Sequence, residues 1–307
     1  MIWWLLVPAA LLLLLSAVCY RMAFYVSRAD REKEEAVPLG EQFTPYRERM
    51  QQLRAEFSAL SYEPVQIRAQ DGVLLYGRYY HVRTGAPIHL QMHGYRGSAI
   101  RDFCGGNLLS RQMGHNALVI DQRAHGSSGG RTICFGIRER MDCKLWCEYL
   151  AQRFPDVPVF LVGVSMGAST LLMASELELP ENVIGIIADC PYNAPRDIIE
   201  KTCRDMHLPP KLVWPLIDLG MRLYGRCRLH QVTAAEAVRK ARVPVLLFHG
   251  KADRLVPYEM SEQIADNCAA GCQLELFDDA GHGLSCLVDP VRYKAAVRKF
   301  CEECLTE

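Results

Sequence analysis

The chain has 307 residues, of which 50% are hydrophobic and 23% are charged. These proportions are typical of a globular protein and exclude a disordered or collagen-like chain, and the length allows one large α/β domain or two small ones. Lysine plus arginine and aspartate plus glutamate each total 35, so the formal net charge is zero and nucleic acid is not expected as a partner.

The first predicted element is a membrane anchor. Residues 2–20 carry no charge, and a helix of nineteen residues is about 28 Å long, close to the hydrocarbon thickness of a bilayer. Trp3, Trp4 and Tyr20 flank this run, where aromatic rings favour the membrane interface. A cleaved signal peptide is the alternative, but no lysine or arginine precedes the run and no clear A-x-A site follows it. We therefore predict an uncleaved transmembrane anchor over residues 1–26.

The charges that follow the anchor predict its orientation. Arg21, Arg28, Arg31 and Lys33 lie on its C-terminal side, whereas its N-terminal side has only the α-amino group. The positive-inside tendency then places the following domain in the cytoplasm. The charged stretch 27–44 is predicted to be a juxtamembrane linker.

The thirteen cysteines agree with that location. Their number is odd, so at least one thiol cannot pair within the chain. Cys301 and Cys304 have the C-x-x-C spacing, but a zinc or redox site would need a second such pair or a strand-to-helix setting. We interpret the cysteines as small buried hydrophobes in a reducing compartment and expect no metal.

Residues 45–307 are predicted to form an α/β domain. Thr44 and Pro45 resemble an N-cap and a first-turn proline, and they open an amphipathic helix. Short apolar runs then alternate with helical patterns, which indicates a doubly wound, mostly parallel sheet with helices on both faces. The predicted strands are Val65–Ala69, Val73–Tyr80, Ile88–Met92, Ala117–Ile120, Val159–Val162, Val183–Ala188, Val243–Phe248 and Cys272–Phe277. The first two flank a turn at Asp71-Gly72 and are predicted to pair as a hairpin.

Helical stripes and one insertion complete the predicted domain. The stripes are Ile137, Met141, Leu145 and Tyr149, and Val297, Phe300, Cys301 and Cys304. Residues 192–242 separate two predicted strands by far more than a typical crossover, so we predict a small helical cap over the end of the sheet.

The predicted fifth strand runs directly into Gly163-Val164-Ser165-Met166-Gly167, and a helical run follows. A G-x-S-x-G motif between a strand and a helix is typical of a sharp turn that exposes a nucleophilic serine. Flanking glycines are needed because a Cβ at either position would crowd the backbone. Ser165 is therefore the predicted nucleophile, and an ordinary serine in a glycine-rich turn is the alternative.

A serine hydroxyl needs a base, and the base needs an acid that orients it. Asp253 follows the predicted seventh strand and His282 follows the eighth, so both lie at the edge of the sheet where Ser165 emerges. We predict His282 as the general base and Asp253 as its partner. The backbone N–H groups of Tyr95 and Met166 are the predicted oxyanion donors, which leaves the Tyr95 side chain free to face the pocket.

The chain resembles α/β-hydrolases of the serine aminopeptidase-like and prolyl oligopeptidase-like group, which includes bacterial membrane-anchored hydrolases. The matching stretches are His93–Ser98, Asp121–Gly126, Gly163–Gly167, Asp189–Pro191, His249–Pro257 and Gly281–Gly283. The resemblance implies an eight-stranded sheet with a cap after the sixth strand. It also implies hydrolysis of an ester, thioester or amide without a metal or other cofactor.

These observations favour a serine hydrolase that forms an acyl-serine intermediate. A carboxylesterase or acyl hydrolase acting on a small or lipophilic substrate is the leading hypothesis, since the cap and the anchor are apolar. A serine peptidase of the aminopeptidase type is the main alternative, and it would favour acidic residues near the pocket, such as Glu200, Asp205 and Asp218. An acyltransferase and a non-catalytic binding protein that retains the fold are the other hypotheses. The oligomeric state is left open.

Overall fold

The computed structural model describes residues 3–31 and 40–306, and eight strands of this part form one sheet. The strands are β1 (Glu63–Arg68), β2 (Leu74–Tyr80), β3 (Ile88–Met92), β4 (Asn116–Asp121), β5 (Val159–Val164), β6 (Val183–Asp189), β7 (Val245–Gly250) and β8 (Cys272–Phe277). They lie in the order β1-β2-β4-β3-β5-β6-β7-β8. The β1–β2 hairpin and the β2–β4 pair are antiparallel, whereas every other pair is parallel, which confirms the predicted mostly parallel sheet.

Helices cover both faces of the sheet. Those described are α1 (Trp3–Ala23), α2 (Arg28–Arg31), α3 (Arg47–Ser58), α4 (Ala99–Gln112), α5 (Glu139–Arg153), α6 (Met166–Ala174), α7 (Pro195–Asp205), α8 (Pro210–Gly220), α9 (Ala234–Ala237), α10 (Glu259–Ala265), α11 (Ser285–Val288) and α12 (Pro290–Thr306). Leu118 of β4 packs in the same cluster as α5 and α6, whereas its neighbour Val119 packs with α3 and α4. Strands covered on both sides must be apolar throughout, which explains the continuous runs in the sequence.

Two predicted details of the helices were wrong. Thr44 and Pro45 lie inside a 3₁₀-helix, Glu41–Tyr46, and α3 begins only at Arg47. The buried side of α5 is formed instead by other residues, namely Asp142, Cys143, Trp146, Cys147 and Leu150. The predicted helical positions Met141, Leu145 and Tyr149 are only partly buried. Asp142 can occupy this face because its carboxylate pairs with the buried Arg123 guanidinium at 2.6 Å.

The cap lies between β6 and β7 and is mostly helical. It contains α7, α8, a π-helical turn at Met221–Gly225, α9 and a 3₁₀ turn at Val238–Lys240. The sequence pattern places the cap at about 192–242, and these elements fall within that range. Because Pro244 has no N–H for a sheet ladder, β7 begins at Val245 rather than at the predicted Val243.

One helix in the described part of the chain, α1, is long and apolar enough to cross a membrane, and its Leu6–Ala23 window is 6% buried. The chain after α1 pairs with the domain, since the Val26 N–H donates to Arg131 O at 2.9 Å and the Ile133 N–H donates to Phe24 O at 2.9 Å. Part of the predicted 27–44 linker, residues 32–39, lies outside the described residues, as do residues 1, 2 and 307 and the side chains of Trp3 and Trp4.

Candidate active site

A sharp turn between β5 and α6 presents Ser165. Its backbone has φ 53° and ψ −117°, a conformation that is strained for a residue with a side chain. The glycines on either side allow this turn. A Cβ on Gly163 would lie 2.5 Å from the Ala168 nitrogen, and a Cβ on Gly167 would lie 1.9 Å from Met92 O. Only glycine fits at either position, as the motif requires.

The structure brings Ser165, His282 and Asp253 together at the carboxyl edge of the sheet. The Ser165 Oγ lies 2.9 Å from His282 Nε2, and His282 Nδ1 lies 2.7 Å from Asp253 Oδ2. Because a carboxylate oxygen only accepts, Nδ1 carries the proton of a neutral imidazole, and Nε2 accepts from the serine hydroxyl. The hydrogen bonds therefore run in one direction, from Ser165 to His282 to Asp253, which is the geometry that activates a serine.

The Asp253 carboxylate is held in its charged form. Its Oδ1 accepts the backbone N–H groups of Leu255 at 2.8 Å and Val256 at 2.9 Å. Burial alone would raise the pKa of Asp253, but hydrogen bonds from His249 and His282, together with the charge of His282, outweigh it and hold that pKa well below its ordinary value. A carboxylate that stays ionised can stabilise a cation on His282 throughout the neutral range.

His249 is a second partner of Asp253 that was not predicted from the sequence. The His249 Nε2 donates to Val256 O at 3.0 Å and lies 3.4 Å from Asp253 Oδ2, while its Nδ1 lies 2.6 Å from the Ser261 Oγ. The imidazole is fully buried and fixes the loop that carries Asp253. Its only sequence signal was its place near the end of an apolar strand, just before Gly250.

Asp189 and Cys190, at the end of β6, line the other side of His282. Burial raises the pKa of Asp189 to about 6, against the opposing charges of His249 and His282. The buried Cys190 Sγ lies 4.0 Å from His282 Nε2. Burial also raises the pKa of this thiol well above its ordinary value, so it is a neutral neighbour of the imidazole.

The backbone N–H groups of Tyr95 and Met166 have no acceptor among the described residues. Met166 is the first residue of α6, where the helix dipole favours negative charge. Gly94 brings the Tyr95 loop close to the nucleophile, since a Cβ on it would lie 3.4 Å from the Ser165 Cβ. Neither N–H group is engaged within the described part of the chain, and the oxyanion role of Tyr95 and Met166 stays a prediction.

The Tyr95 side chain binds the end of α1 instead of being left free to face the pocket. Its hydroxyl donates to Ala23 O at 2.7 Å, and the neighbouring Arg96 guanidinium donates to Met22 O at 2.9 Å. The last carbonyls of a helix have no partner within the helix, so these side chains complete its C-terminus. Phe135 packs between the rings of Phe24 and Tyr95, at centroid distances of 5.5 and 5.1 Å.

One group in the described part of the chain brings three potential metal ligands together, within 4.8 Å of one another: Cys190, Asp253 and His282. Its donors suit a metal poorly. Asp253 and His282 are already hydrogen-bonded to each other, and the raised pKa of the Cys190 thiol disfavours the thiolate that a metal needs.

A family model described as "Serine aminopeptidase, S33" matches residues 92–216 and 219–286, more than half of the chain. The chain belongs to this family of α/β-hydrolases. The matched residues of the S33 family member include Tyr95, Ser165, Met166, Asp253 and His282. Membership establishes a hydrolase fold and leaves the substrate open, because this fold supports many reactions.

A curated relative of this S33 family member is the uncharacterized protein YqkD of Bacillus subtilis (strain 168), which is 27% identical over 196 residues. The match covers 63% of this chain and 64% of YqkD, so the chain spans less than two thirds of that relative.

Solved structures with the same fold include esterases. The Pyrococcus furiosus esterase Pf2001 is 22% identical, with a TM-score of 0.65 over 88% of this chain and 97% of that one. Est1E from Butyrivibrio proteoclasticus, solved with ferulic acid, is 19% identical, with a TM-score of 0.60 over 79% of this chain and 100% of its own. The esterase EaEST from Exiguobacterium antarcticum is 20% identical, with a TM-score of 0.58 over 78% and 99%. At such identities the likeness shows the fold alone.

Proposed function

We propose that this chain is a serine hydrolase that cleaves an acyl ester through a covalent acyl-serine intermediate. The observation that carries the proposal is the hydrogen-bonded series Ser165–His282–Asp253, with distances of 2.9 and 2.7 Å, on a strained strand-to-helix turn. Such a series, with two unengaged N–H groups beside the serine, can perform each step of acyl transfer.

The reaction begins when the Ser165 oxygen bonds to the carbonyl carbon of the substrate and its proton passes to His282 Nε2. The carbonyl oxygen takes up the electron pair of the C=O double bond, and the N–H groups of Tyr95 and Met166 stabilise its charge. The tetrahedral intermediate then collapses, and His282 protonates the departing alcohol. Water repeats the sequence on the acyl-serine, which releases the acid and restores the serine.

The three cap carboxylates that the sequence suggested for a peptidase are engaged in ion pairs, which favours an ester over a peptide. A peptidase that binds a free amino group needs an acidic residue that is open to that group. Glu200 lies 2.6 Å from Arg196, Asp205 lies 2.5 Å from Lys201, and Asp218 lies 2.7 Å from Arg222. Each pair joins residues four positions apart, so a neighbouring cation already offsets the charge of each of the three carboxylates.

Fluorophosphonate labelling tests the nucleophile. We expect the wild-type chain to label and Ser165→Ala not to label, while both unfold at similar temperatures. A folded wild-type chain that does not label would instead support a binding protein that retains the fold. For the substrate class, p-nitrophenyl esters of graded chain length are compared with aminoacyl amides. Faster turnover of the amides would favour the peptidase, and transfer to an added alcohol would indicate an acyltransferase.

The membrane placement is part of the same proposal. The apolar α1 would hold the chain in the bilayer, and the arginines that follow it would keep the hydrolase domain in the cytoplasm. Protease added to intact cells should then leave the domain uncut, and should cut it once the cells are permeabilised. Digestion from outside intact cells would reverse the proposed orientation.

A further inference from the structure

The C-terminal half of α1 packs along the cap. A Cβ on Gly220 of α8 would lie 2.4 Å from Ser16 O, so the two helix backbones approach as closely as small residues permit. The Tyr224 ring lies 5.6 Å from the Tyr20 ring, and its hydroxyl lies 3.4 Å from Leu13 O. The cap therefore accompanies α1 from Leu13 to Tyr20, about 10 Å along its axis.

This contact limits how α1 can sit in a bilayer. An isolated span would be surrounded by lipid along its whole length, but the cap occupies one side of the C-terminal half. If the exposed leucines of the N-terminal half lie in the hydrocarbon, the parts of the cap that pack against α1 must reach the interfacial layer of the same membrane. The depth of the cap is thus fixed by its packing on α1.

The same cap elements expose large apolar side chains. Leu212 of α8 is 72% exposed, and Leu223 and Tyr224 of the π-helical turn are 47% and 44% exposed. Single exposed leucines are common on soluble proteins, but these three lie on the two elements that contact α1. We call these three residues the cap face.

The charge around the cap face suits anionic lipid. Residues 196–230 contain seven lysines and arginines and four acidic residues, although the whole chain has no net charge. Lys211 immediately precedes Leu212 in the sequence, and Arg222, whose charge is offset by Asp218 at 2.7 Å, immediately precedes Leu223. Basic side chains beside apolar ones are typical of surfaces that lie at a bilayer interface, where each cation near anionic headgroups adds to binding.

We propose that the cap face lies in the interfacial layer of an anionic bilayer and that the substrate is a lipid-phase acyl ester. This inference rests on the serine hydrolase function proposed above. The C-terminal end of α1 (the foot of α1, Met22 and Ala23) supports the substrate assignment, because its carbonyls accept hydrogen bonds from Arg96 and Tyr95. These two residues lie in the loop that carries a predicted oxyanion donor, which we call the oxyanion loop. The same loop also lies beside the nucleophile, since a Cβ on Gly94 would lie 3.4 Å from the Ser165 Cβ.

Fluorescence quenching by brominated phospholipids tests the position of the cap face. The full chain is reconstituted in vesicles that contain phosphatidylglycerol and brominated phosphatidylcholine, as Leu212→Trp and, separately, Leu223→Trp. Val291→Trp is the matched control, because Val291 is 78% exposed on α12, which packs on β6 and α11. We expect the fluorescence added by the first two tryptophans to be quenched and that of the control to be retained. Equal brightness of all three would overturn the proposal.

Kinetics with two esters test the substrate class. Leu212→Glu should lower hydrolysis of a long-chain ester in phosphatidylglycerol vesicles by on the order of tenfold. The reason is that the variant loses the apolar contact of Leu212 with the bilayer. It should leave hydrolysis of dissolved p-nitrophenyl acetate unchanged, and Val291→Glu should change neither rate. Equal loss on both esters, or no loss on either, would refute the lipid-phase substrate.

Fluorophosphonate labelling of the protein in the same vesicles distinguishes failure of the cap-face proposal from failure of the serine hydrolase proposal. Labelling without quenching at positions 212 and 223 would refute the cap face and leave the serine hydrolase intact. Quenching without labelling would place the cap at the membrane and refute the hydrolase, and with it the lipid substrate.

Discussion

Substitution of Gly167 by alanine should displace the predicted oxyanion donors without changing a reacting side chain. In Gly167→Ala, the new Cβ would lie 1.9 Å from Met92 O, whereas a carbon and a carbonyl oxygen normally stay about 3.3 Å apart. Neither atom belongs to a flexible side chain, so the start of α6 and the end of β3 must separate by about 1.4 Å. Met166 is the first residue of α6, and Tyr95 lies in the loop that follows β3.

A displacement of that size should be severe for catalysis and should also destabilise the fold, because the clashing atoms belong to the backbone. Misplacement of catalytic groups by about 1 Å can lower a rate on the order of a hundredfold, and overpacking typically destabilises by about 1–3 kcal/mol. We therefore expect Gly167→Ala to remain folded but to react with fluorophosphonate about a hundred times more slowly than wild type.

Gly105→Ala in α4 is the matched control. Its Cβ would lie 3.8 Å from the Leu53 Cδ1, an ordinary contact, and alanine is the better helix former. The control should label at the wild-type rate and unfold at the same or a slightly higher temperature. If Gly167→Ala, shown to be folded by circular dichroism, labels as fast as Gly105→Ala, the assignment of the oxyanion donors is refuted.

Three further predictions concern charges at and below the site. Asp253→Asn should lower kcat by about 10⁴-fold, because it removes the carboxylate acceptor that fixes the His282 tautomer. Steady-state ester hydrolysis measures kcat, and a loss of less than tenfold would contradict this role of Asp253. Burial raises the pKa of Asp189 to about 6 from an unfolded value of about 4, so its stabilising effect is complete below pH 4 and is lost as pH rises through about 6. Asp189→Asn should therefore gain thermal stability relative to wild type across that window, and a pH-independent difference would refute the assignment. Arg123→Ala should destabilise by about 3–5 kcal/mol in urea unfolding, because Asp142 would stay buried without its 2.6 Å partner, whereas Arg123→Met with Asp142→Leu should recover most of the loss.

The sheet and the nucleophile turn could be predicted because their signals are local. β3 and β8 begin and end at the predicted residues, although β3 is buried along its whole length and β8, at the edge of the sheet, alternates. The glycines around Ser165 are required by contacts within a few residues or with the next strand. Such constraints leave a readable pattern in the sequence.

Contacts between distant segments could not be predicted in this way. The pairing of Phe24 with Ile133 joins residues more than a hundred positions apart, and nothing in either segment identifies the other. The same is true of His249, whose role depends on how the loop that carries Asp253 folds back. The core face of α5 was misjudged because Asp142 is buried through its partner Arg123, a circumstance that hydrophobic periodicity does not register.

The hydrogen bonds between the foot of α1 and the oxyanion loop bear on how a soluble form could be made. Deletion of residues 1–26 would remove the acceptors of Tyr95 and Arg96, and it would also strip Phe24 from the aromatic group around Phe135. The loop that carries Tyr95 and Arg96, beside the nucleophile, would then lose its contacts with α1. Low activity in such a truncated protein could therefore result from a displaced loop at the active site as well as from separation from lipid. Detergent extraction of the intact chain keeps these contacts and avoids that ambiguity.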